Sequence, residues 1–260
     1  MVSDVSTQGT LDEINFWQPS ASTAFRALKA GEPLLFKLHS PDNYIVGGGF
    51  FACWKNAPVS LAWEAFGAKN GAANVNEMRK RIERYRRVKP SQHEGYEIGC
   101  ILLEQPFFFA QDEWLPVPDW QPNIVRGKTY DLAVEPGRTL WEQVLTGLRL
   151  QNGQVLRDAE IVARAKERYS KALLIQPRLG QGSFRIIVTD AYSRRCAITR
   201  ERVLPVLEAA HIRPYAEGGE HRVDNGLLLR SDLHTLFDRG YVTVTPEYRI
   251  EVTAPEVGLR

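Results

Sequence analysis

Cysteine is scarce in this sequence: Cys53, Cys100 and Cys196 are the only three among 260 residues, and no two form a CxxC pair. This scarcity argues against a disulfide framework and fits a reducing compartment. Apolar runs long enough to cross a membrane are also missing. The first residues, MVSDVSTQGTLDEINFW, lack a basic stretch followed by an apolar one. We therefore expect no secretory signal, no membrane partner and a cytoplasmic location.

An excess of charge of one sign is absent too, because the formal net charge is only +2. The overall charge therefore does not point to nucleic acid, but phosphate contacts need only local Lys and Arg. Basic residues cluster at 79–89 (RKRIERYRRVK), where a solvated helix face is an equally good explanation. The 43% apolar and 25% charged residues are typical of a globular protein with two domains or one large one.

The first half of the chain has the pattern of a mixed α+β domain. Residues 33–52 predict two strands joined by a Pro-Asp-Asn turn, and residues 97–109 predict another strand, interrupted by Pro106. Consecutive glycines at 47–49 predict a bulge or a close backbone approach. Charge spacing over 77–88 predicts a helix between these strands. Together these elements predict a curved sheet or small barrel.

Helical periodicity replaces this pattern in the second half. Apolar residues at helical spacing predict helices over 140–150 and 155–172, and a further helix over 184–192 follows a Gly-rich hinge. The domain junction should therefore fall within 139–180.

The most informative stretch lies at 196–244. Apolar runs predict a strand at 203–212, with His211 at its end, and a short strand at 227–229. Ser231 is the predicted N-cap, and Gly240 the predicted stop, of a helix between them. On that helix His234 and Asp238 are four residues apart and project from one face. An imidazole and a carboxylate placed this way can share one divalent cation. An ordinary exposed pair would have the same spacing.

This stretch resembles the ββα-metal fold of HNH nucleases, in the pattern AAHI-x-P…DNGLLL…H-x-x-x-D-x-G. The resemblance implies that His211 is the general base, and that Asn225 braces the loop and helps to orient that base. It also implies that His234 and Asp238 are metal ligands.

Two departures from the family pattern affect the metal site. Many members place Asp or His just before the base, whereas this chain has Ala210. Glu208 could supply the missing carboxylate, or water could fill the position. Many members also carry a structural zinc on paired CxxC motifs. Because Cys196 stands in a C-A-I-T context, we expect no structural zinc there and interpret this cysteine as a small buried residue.

Three further residues near the motif have weaker assignments. Arg213 and Arg230 flank it and are candidate DNA contacts, although plain surface charge explains them equally well. His221 has no place in the pattern and is interpreted as a solvated loop histidine.

The chemistry of phosphodiester hydrolysis suits these residue types. A neutral imidazole can take a proton from water near pH 7, and a cation can offset the charge that grows on the phosphate. Oxygen ligands and open water positions favour Mg²⁺ or Mn²⁺, while an imidazole ligand also tolerates Zn²⁺ or Ni²⁺.

The first half resembles, more loosely, the PUA-like readers (EVE and related domains) fused to HNH modules in modification-dependent restriction enzymes. The resemblance is carried by NFWQPS, LLFKLHSPDNYIVGGGFF and AWEAFGAKNG, and the stretch at 178–196 resembles the linker that precedes the nuclease in such enzymes. These readers hold a flipped base between aromatic side chains. The candidate pocket walls are Trp17, Phe50, Trp54 and Trp63, for which core packing is the competing explanation.

The sequence thus predicts an α+β protein with three parts. The first is a PUA-like domain (1–140), which is a curved sheet or barrel and recognises a modified base. A helical linker (141–180) and a ββα-metal HNH domain (181–260) follow. Its predicted function is metal-dependent cutting of double-stranded DNA that carries a modified base, in restriction-type defence. A homodimer is left open. One alternative, prompted by Ala210, is a DNA-binding protein with a decayed nuclease centre. Another is an HNH effector nuclease gated by a ligand on the N-terminal domain.

Overall fold

The computed structural model describes residues 11–86, 96–121, 123–124, 127–151 and 179–253. The helix expected at 155–172 and most of the linker expected at 141–180 lie outside these residues.

Contacts divide the chain into two compact units. The first takes its described residues from Met1–Ile14, Phe25–Cys53 and Leu103–Pro177. The second takes them from Asn15–Ala24, Trp54–Leu102 and Arg178–Arg260. The second unit therefore combines residues from the first half of the chain with the HNH-like stretch, and the three-part division of the sequence stays a prediction.

A largely antiparallel sheet is the main β structure of the first half. Its strands are β1 (Glu13–Gln18), β2 (Pro33–Lys37), β3 (Tyr44–Pro58), β4 (Glu97–Phe108) and β5 (Leu115–Pro116). The strand order is β1-β4-β3-β2, and β5 pairs with β3. The strands predicted at 33–52 and 97–109 are confirmed, but β4 continues through Pro106 without the predicted interruption. The described strands form an open path and not a closed barrel.

The glycines of β3 allow another strand to approach closely. A Cβ at Gly47 would overlap the carbonyl oxygen of Phe107 and lie 3.0 Å from Cα of Phe108, so a larger residue would separate the strands. The register between β2 and β3 also shifts between Phe36 and Lys37. The bulge and close approach predicted from the glycine run are therefore both present.

Five α-helices occur in the described residues: α1 (Val59–Phe66), α2 (Val75–Tyr85), α3 (Gly137–Gln151), α4 (Gln181–Ala191) and α5 (Ser231–Asp238). Helix α2 begins where the Asn74 side chain accepts a hydrogen bond from the Glu77 backbone N–H at 2.9 Å. Helix α1 was not predicted from the sequence. No helix among the residues described is both long and apolar enough to span a membrane.

In the second unit, a hairpin packs against helices. Strands β6 (Leu207–His211) and β7 (Gly226–Arg230) pair antiparallel, with His211 opposite Gly226. A second hairpin joins β8 (Val242–Val244) to β9 (Ile250–Val252). Helix α4 buries Phe184 and Val188 in a core shared with both strands of the first hairpin.

Ion pairs tie α4 to the neighbouring part of the same unit. Arg185 pairs with Glu64 of α1 at 2.7 Å, and Asp190 pairs with Lys55 at 2.6 Å. Helix α4 therefore holds a fixed position behind the β6–β7 hairpin.

Candidate functional site

The β6–β7 hairpin brings the end of its first strand against helix α4. A Cβ at Gly226 would overlap Cγ2 of Val188 and lie 3.1 Å from Cε2 of Phe184. Only glycine fits at this position, directly opposite His211. The small residue thus allows α4 to lie close behind the candidate base.

His211 is held in place by two rings. Its imidazole stacks on Phe184, with ring centroids 4.1 Å apart and planes inclined by 7°. Its Nε2 lies 2.9 Å from Nδ1 of His221. Burial lowers the pKa of His211 below its ordinary value, the His221 and His234 imidazoles act in the same direction, and Asp238 opposes them. A lowered pKa keeps the ring neutral near pH 7, as a general base requires.

His221, which was interpreted as a solvated loop residue, is instead half-buried and bonded to the candidate base. Its ring also stacks on Tyr215, with centroids 4.6 Å apart and planes inclined by 13°. The interpretation was wrong because the loop after His211 folds back to the end of β6.

Asn225 fixes the path of that loop. Its Oδ1 accepts a hydrogen bond from the Arg213 N–H at 2.8 Å, and its Nδ2 donates to the Arg213 carbonyl at 3.1 Å and to the Glu220 carbonyl at 3.0 Å. One side chain therefore holds the two ends of the loop between the strands.

Helix α5 presents His234 between two carboxylates. Nδ1 of His234 lies 2.7 Å from Oε2 of Glu208 on β6, and Nε2 lies 3.4 Å from Oδ2 of Asp238 one turn later. The two carboxylates thus approach different nitrogens of the same ring. Glu208 meets the nitrogen that faces the hairpin strand, and Asp238 meets the other.

The distance between His234 and Asp238 would allow both to hold one divalent cation. Neighbouring ligands of an octahedral ion bound at about 2.1 Å lie about 3 Å apart, and the 3.4 Å between Nε2 of His234 and Oδ2 of Asp238 is close to that spacing. Within the described parts of the chain, no cluster of three or more His, Cys, Asp or Glu side chains is arranged for a metal. A cation held by this pair would complete its shell with water and substrate oxygens.

The residue before the base points into the core. Ala210 is completely buried and packs with Leu227 and Leu229 of β7. A carboxylate or imidazole here would have to enter this apolar cluster. Cys196, in the adjoining cluster around Phe184, is also completely buried.

A cleft of about 790 Å³ collects these side chains. His211, His234, Asp238 and Glu208 line it, together with Arg185 of α4. Among the described residues that line the cleft, Arg185 is the single Lys or Arg. The sequence did not suggest it, because its approach depends on how α4 packs behind the hairpin.

The arginines predicted from the sequence to contact DNA do not line this cleft. Arg230 instead forms two hydrogen bonds with Asp232, at 2.7 and 2.6 Å, and lowers the pKa of that carboxyl to about 2. Arg213 is exposed at the loop that Asn225 braces. Both remain candidates for contacts outside the cleft.

The four aromatic residues proposed as pocket walls are half-buried. The indole N–H of Trp17 donates to the Asn70 carbonyl at 3.0 Å, and that of Trp54 donates to Oε1 of Gln18 at 2.9 Å. Phe50 meets Trp141 edge to face at 6.5 Å. Trp63 lies in α1. A base pocket among Trp17, Phe50, Trp54 and Trp63 stays a prediction.

Comparison with known proteins bears on the C-terminal stretch. A search of curated proteins gave no match. Residues 196–245, which carry β6, β7, α5 and β8, match the family model described as HNH endonuclease. The match supports a nuclease activity of this stretch, which holds His211, Asn225, His234 and Asp238.

Proposed function

We propose that this chain is a divalent-metal-dependent DNA endonuclease that uses His211 as its general base. The observation that carries the proposal is the single cleft lined by His211, His234 and Asp238, within the stretch that matches the HNH endonuclease family. A half-buried imidazole with a lowered pKa, beside a His–Asp pair, is an arrangement that suits metal-assisted hydrolysis of a phosphodiester.

The proposed reaction begins at the imidazole of His211. The ring takes a proton from a water molecule, and the water oxygen forms a bond to phosphorus. One phosphorus–oxygen bond to a sugar then breaks, and the departing oxygen takes a proton from solvent. The low pKa of His211 supports this role, because the ring is neutral at the start of the reaction.

His234 and Asp238 are the proposed metal ligands, through Nε2 and a carboxylate oxygen. When bound there, Mg²⁺ or Mn²⁺ would offset negative charge on the phosphate and on the departing oxygen. An ion of this class keeps several waters in its shell, so two protein ligands suit it. The nitrogen ligand leaves Zn²⁺ and Ni²⁺ as metals to test.

Glu208, the candidate third ligand from the sequence, has a contact that supports another role. Because its carboxylate meets Nδ1 of His234, it can hold a proton on that nitrogen and leave the lone pair of Nε2 for the metal. Carboxylates commonly orient metal-binding histidines in this way. We propose that Glu208 orients His234.

Arg185 is the proposed contact to the scissile phosphate. Its Nη2 bonds to Glu64 at 2.7 Å, and its Nε is buried, with no hydrogen-bond partner among the residues that the structure describes. A buried N–H of this kind favours an acceptor in the cleft, and arginine has the planar geometry that suits phosphate oxygens.

Plasmid cutting with Mg²⁺ or Mn²⁺, against an EDTA control, tests the proposal. The wild-type chain should cut, and His211→Ala should cut at least about 10²-fold more slowly, with the fold retained and the DNA affinity unchanged. DNA binding by the wild-type chain without cutting under any of the four metals would instead identify a decayed centre. Cutting that requires an added ligand would identify the gated nuclease.

Target choice is assigned to residues 1–140, as the PUA-like resemblance implies. The α5 helix is occupied by metal ligands, and base readout normally needs an element laid in a groove. We propose a restriction-type role in which the first half recognises a modified base. Gel shifts of the full chain on plain and modified-cytosine duplexes at fixed salt test this, and equal affinity would contradict it.

A further inference from the structure

The hydrogen bond between His211 and His221 engages one of the two ring nitrogens of the candidate base. An imidazole has two ring nitrogens, and a neutral ring carries its proton on one of them. Nε2 of His211 lies 2.9 Å from Nδ1 of His221. If Nε2 carries the proton and donates it to His221, the lone pair is on Nδ1 and can accept a proton from water.

We propose that His221 is a positioning residue that accepts a hydrogen bond from Nε2–H of His211 and so keeps Nδ1 as the basic nitrogen. This inference rests on the proposed function, since it concerns the same base. It assigns a role to a residue that the motif leaves without one.

The aromatic surroundings of the pair are built to hold both rings. Phe184, which is 1% exposed, stacks on His211 and lies 5.5 Å from the His221 ring. Tyr215 covers His221 by stacking, and is 64% exposed. The four rings therefore run in sequence from the core to the surface, and the hydrogen bond joins the two imidazoles in the middle.

Charge explains why such a partner is useful. Burial disfavours the protonated form of His211, yet the ring becomes positive when it takes a proton from water. A hydrogen bond from the resulting imidazolium to neutral His221 is charge-assisted and stronger than the same bond in the resting state. His221 thus stabilises the charge that develops during the reaction. When His221 is itself protonated, it cannot accept this bond.

Two substitutions of His221 separate the hydrogen bond from the packing. His221→Phe keeps a ring for Tyr215 and Phe184 but removes the acceptor. His221→Asn places an amide oxygen near the former Nδ1 position and keeps an acceptor. We expect the Phe variant to cut about 10- to 100-fold more slowly at saturating DNA and metal, as for loss of a hydrogen bond to a charged group. The Asn variant should recover most of that loss, and neither should change Mn²⁺ affinity.

The tautomer of His211 provides a readout that does not depend on cutting. Imidazole ¹⁵N spectra of the full chain near pH 8, with His211 assigned by substitution, should show the Nε2–H form in the wild-type chain and in His221→Asn. In His221→Phe that preference should be lost. If the Phe variant does not fold, Tyr215→Ala can replace it, because Tyr215 is exposed and its loss removes the ring that stacks on His221. This variant should give a smaller change in the tautomer preference, in the same direction.

The possible outcomes distinguish this inference from the proposed function on which it rests. Absence of metal-dependent cutting by the wild-type chain would overturn the proposed function, whatever the spectra show. If the wild-type chain cuts, and His221→Phe has the same cutting rate and the same His211 tautomer, only the role of His221 is overturned. Equal losses in the Phe and Asn variants would also overturn it, because they would show that packing alone matters.

Discussion

Nδ1 of His234 lies 2.7 Å from Oε2 of Glu208. This contact engages one nitrogen of the histidine and leaves the other, on the side of Asp238, for the proposed cation. Glu208 stands on β6 and His234 on α5, so the hairpin strand orients a proposed ligand on the helix.

The first prediction separates orientation from direct ligation. Glu208→Ala should weaken Mn²⁺ binding about 10- to 100-fold, the usual effect of losing a carboxylate behind a metal-bound histidine. Glu208→Gln should weaken Mn²⁺ binding much less, because the glutamine amide oxygen can still accept a hydrogen bond from Nδ1–H of His234. Calorimetric titration of each variant measures this. If Gln weakens binding as strongly as Ala, the charged carboxylate is itself a ligand.

The second prediction concerns pH. Because the pKa of His211 is lowered, the ring should stay neutral below the usual value of about 6.5, and cutting should be lost only as the pH falls through the folded-state pKa. A bound cation nearby would move that midpoint further in the same direction. The lowered pKa also means that the unfolded chain binds more protons, so the free energy of unfolding should fall as the pH falls below about 6.5.

Single-turnover cutting rates between about pH 5 and 8, at metal concentrations shown to saturate at each pH, measure the midpoint. The saturation control is needed because loss of the metal at low pH would also stop cutting. A midpoint clearly above the ordinary histidine value would contradict a buried base at position 211.

The third prediction compares arginines inside and outside the cleft. Arg185→Ala should lower the rate at saturating DNA about 10- to 100-fold, as expected for a lost charge-assisted hydrogen bond. Arg230→Ala should instead weaken DNA binding and reduce the salt slope by about 1, with the saturated rate unchanged. Glu64→Gln is the matched control, because it removes the ion-pair partner of Arg185 and leaves the guanidinium.

Kinetics on a short duplex, with KM and the saturated rate measured separately, distinguish these effects. A loss in Glu64→Gln as large as that in Arg185→Ala would assign the arginine to packing between α1 and α4.

The sequence predicted the strands and helix of the site because each is specified locally. Apolar runs indicate β6 and β7, and the four-residue spacing of His234 and Asp238 places them on successive turns of α5. The first strand was predicted from residue 203 but begins at Leu207, after a 3₁₀ turn at Leu204–Val206.

The contacts made by His221 and Arg185 could not be predicted in this way. His221 reaches the base only through the loop that Asn225 braces. Arg185 reaches the cleft because α4 packs behind a hairpin that follows it in the sequence. In both cases the position depends on tertiary packing, which local periodicity does not contain. The choice between an open sheet and a closed barrel could not be predicted for a similar reason. The sequence of a strand specifies which side chains alternate between its faces, but not whether the sheet closes into a barrel.

The last prediction tests the close packing behind the base. Gly226→Ala would place a methyl group against Val188 and Phe184, and overpacking of this kind costs about 1–3 kcal/mol of stability. Because Gly226 lies opposite His211 and Phe184 stacks on that ring, the displacement should also slow cutting in the fraction that stays folded. Val188→Ala removes the methyl group that the new Cβ would meet. The double variant should therefore lose less stability than the sum of the two single changes. Urea unfolding of all four proteins measures this coupling, and strictly additive losses would show that α4 does not press on the hairpin at Gly226.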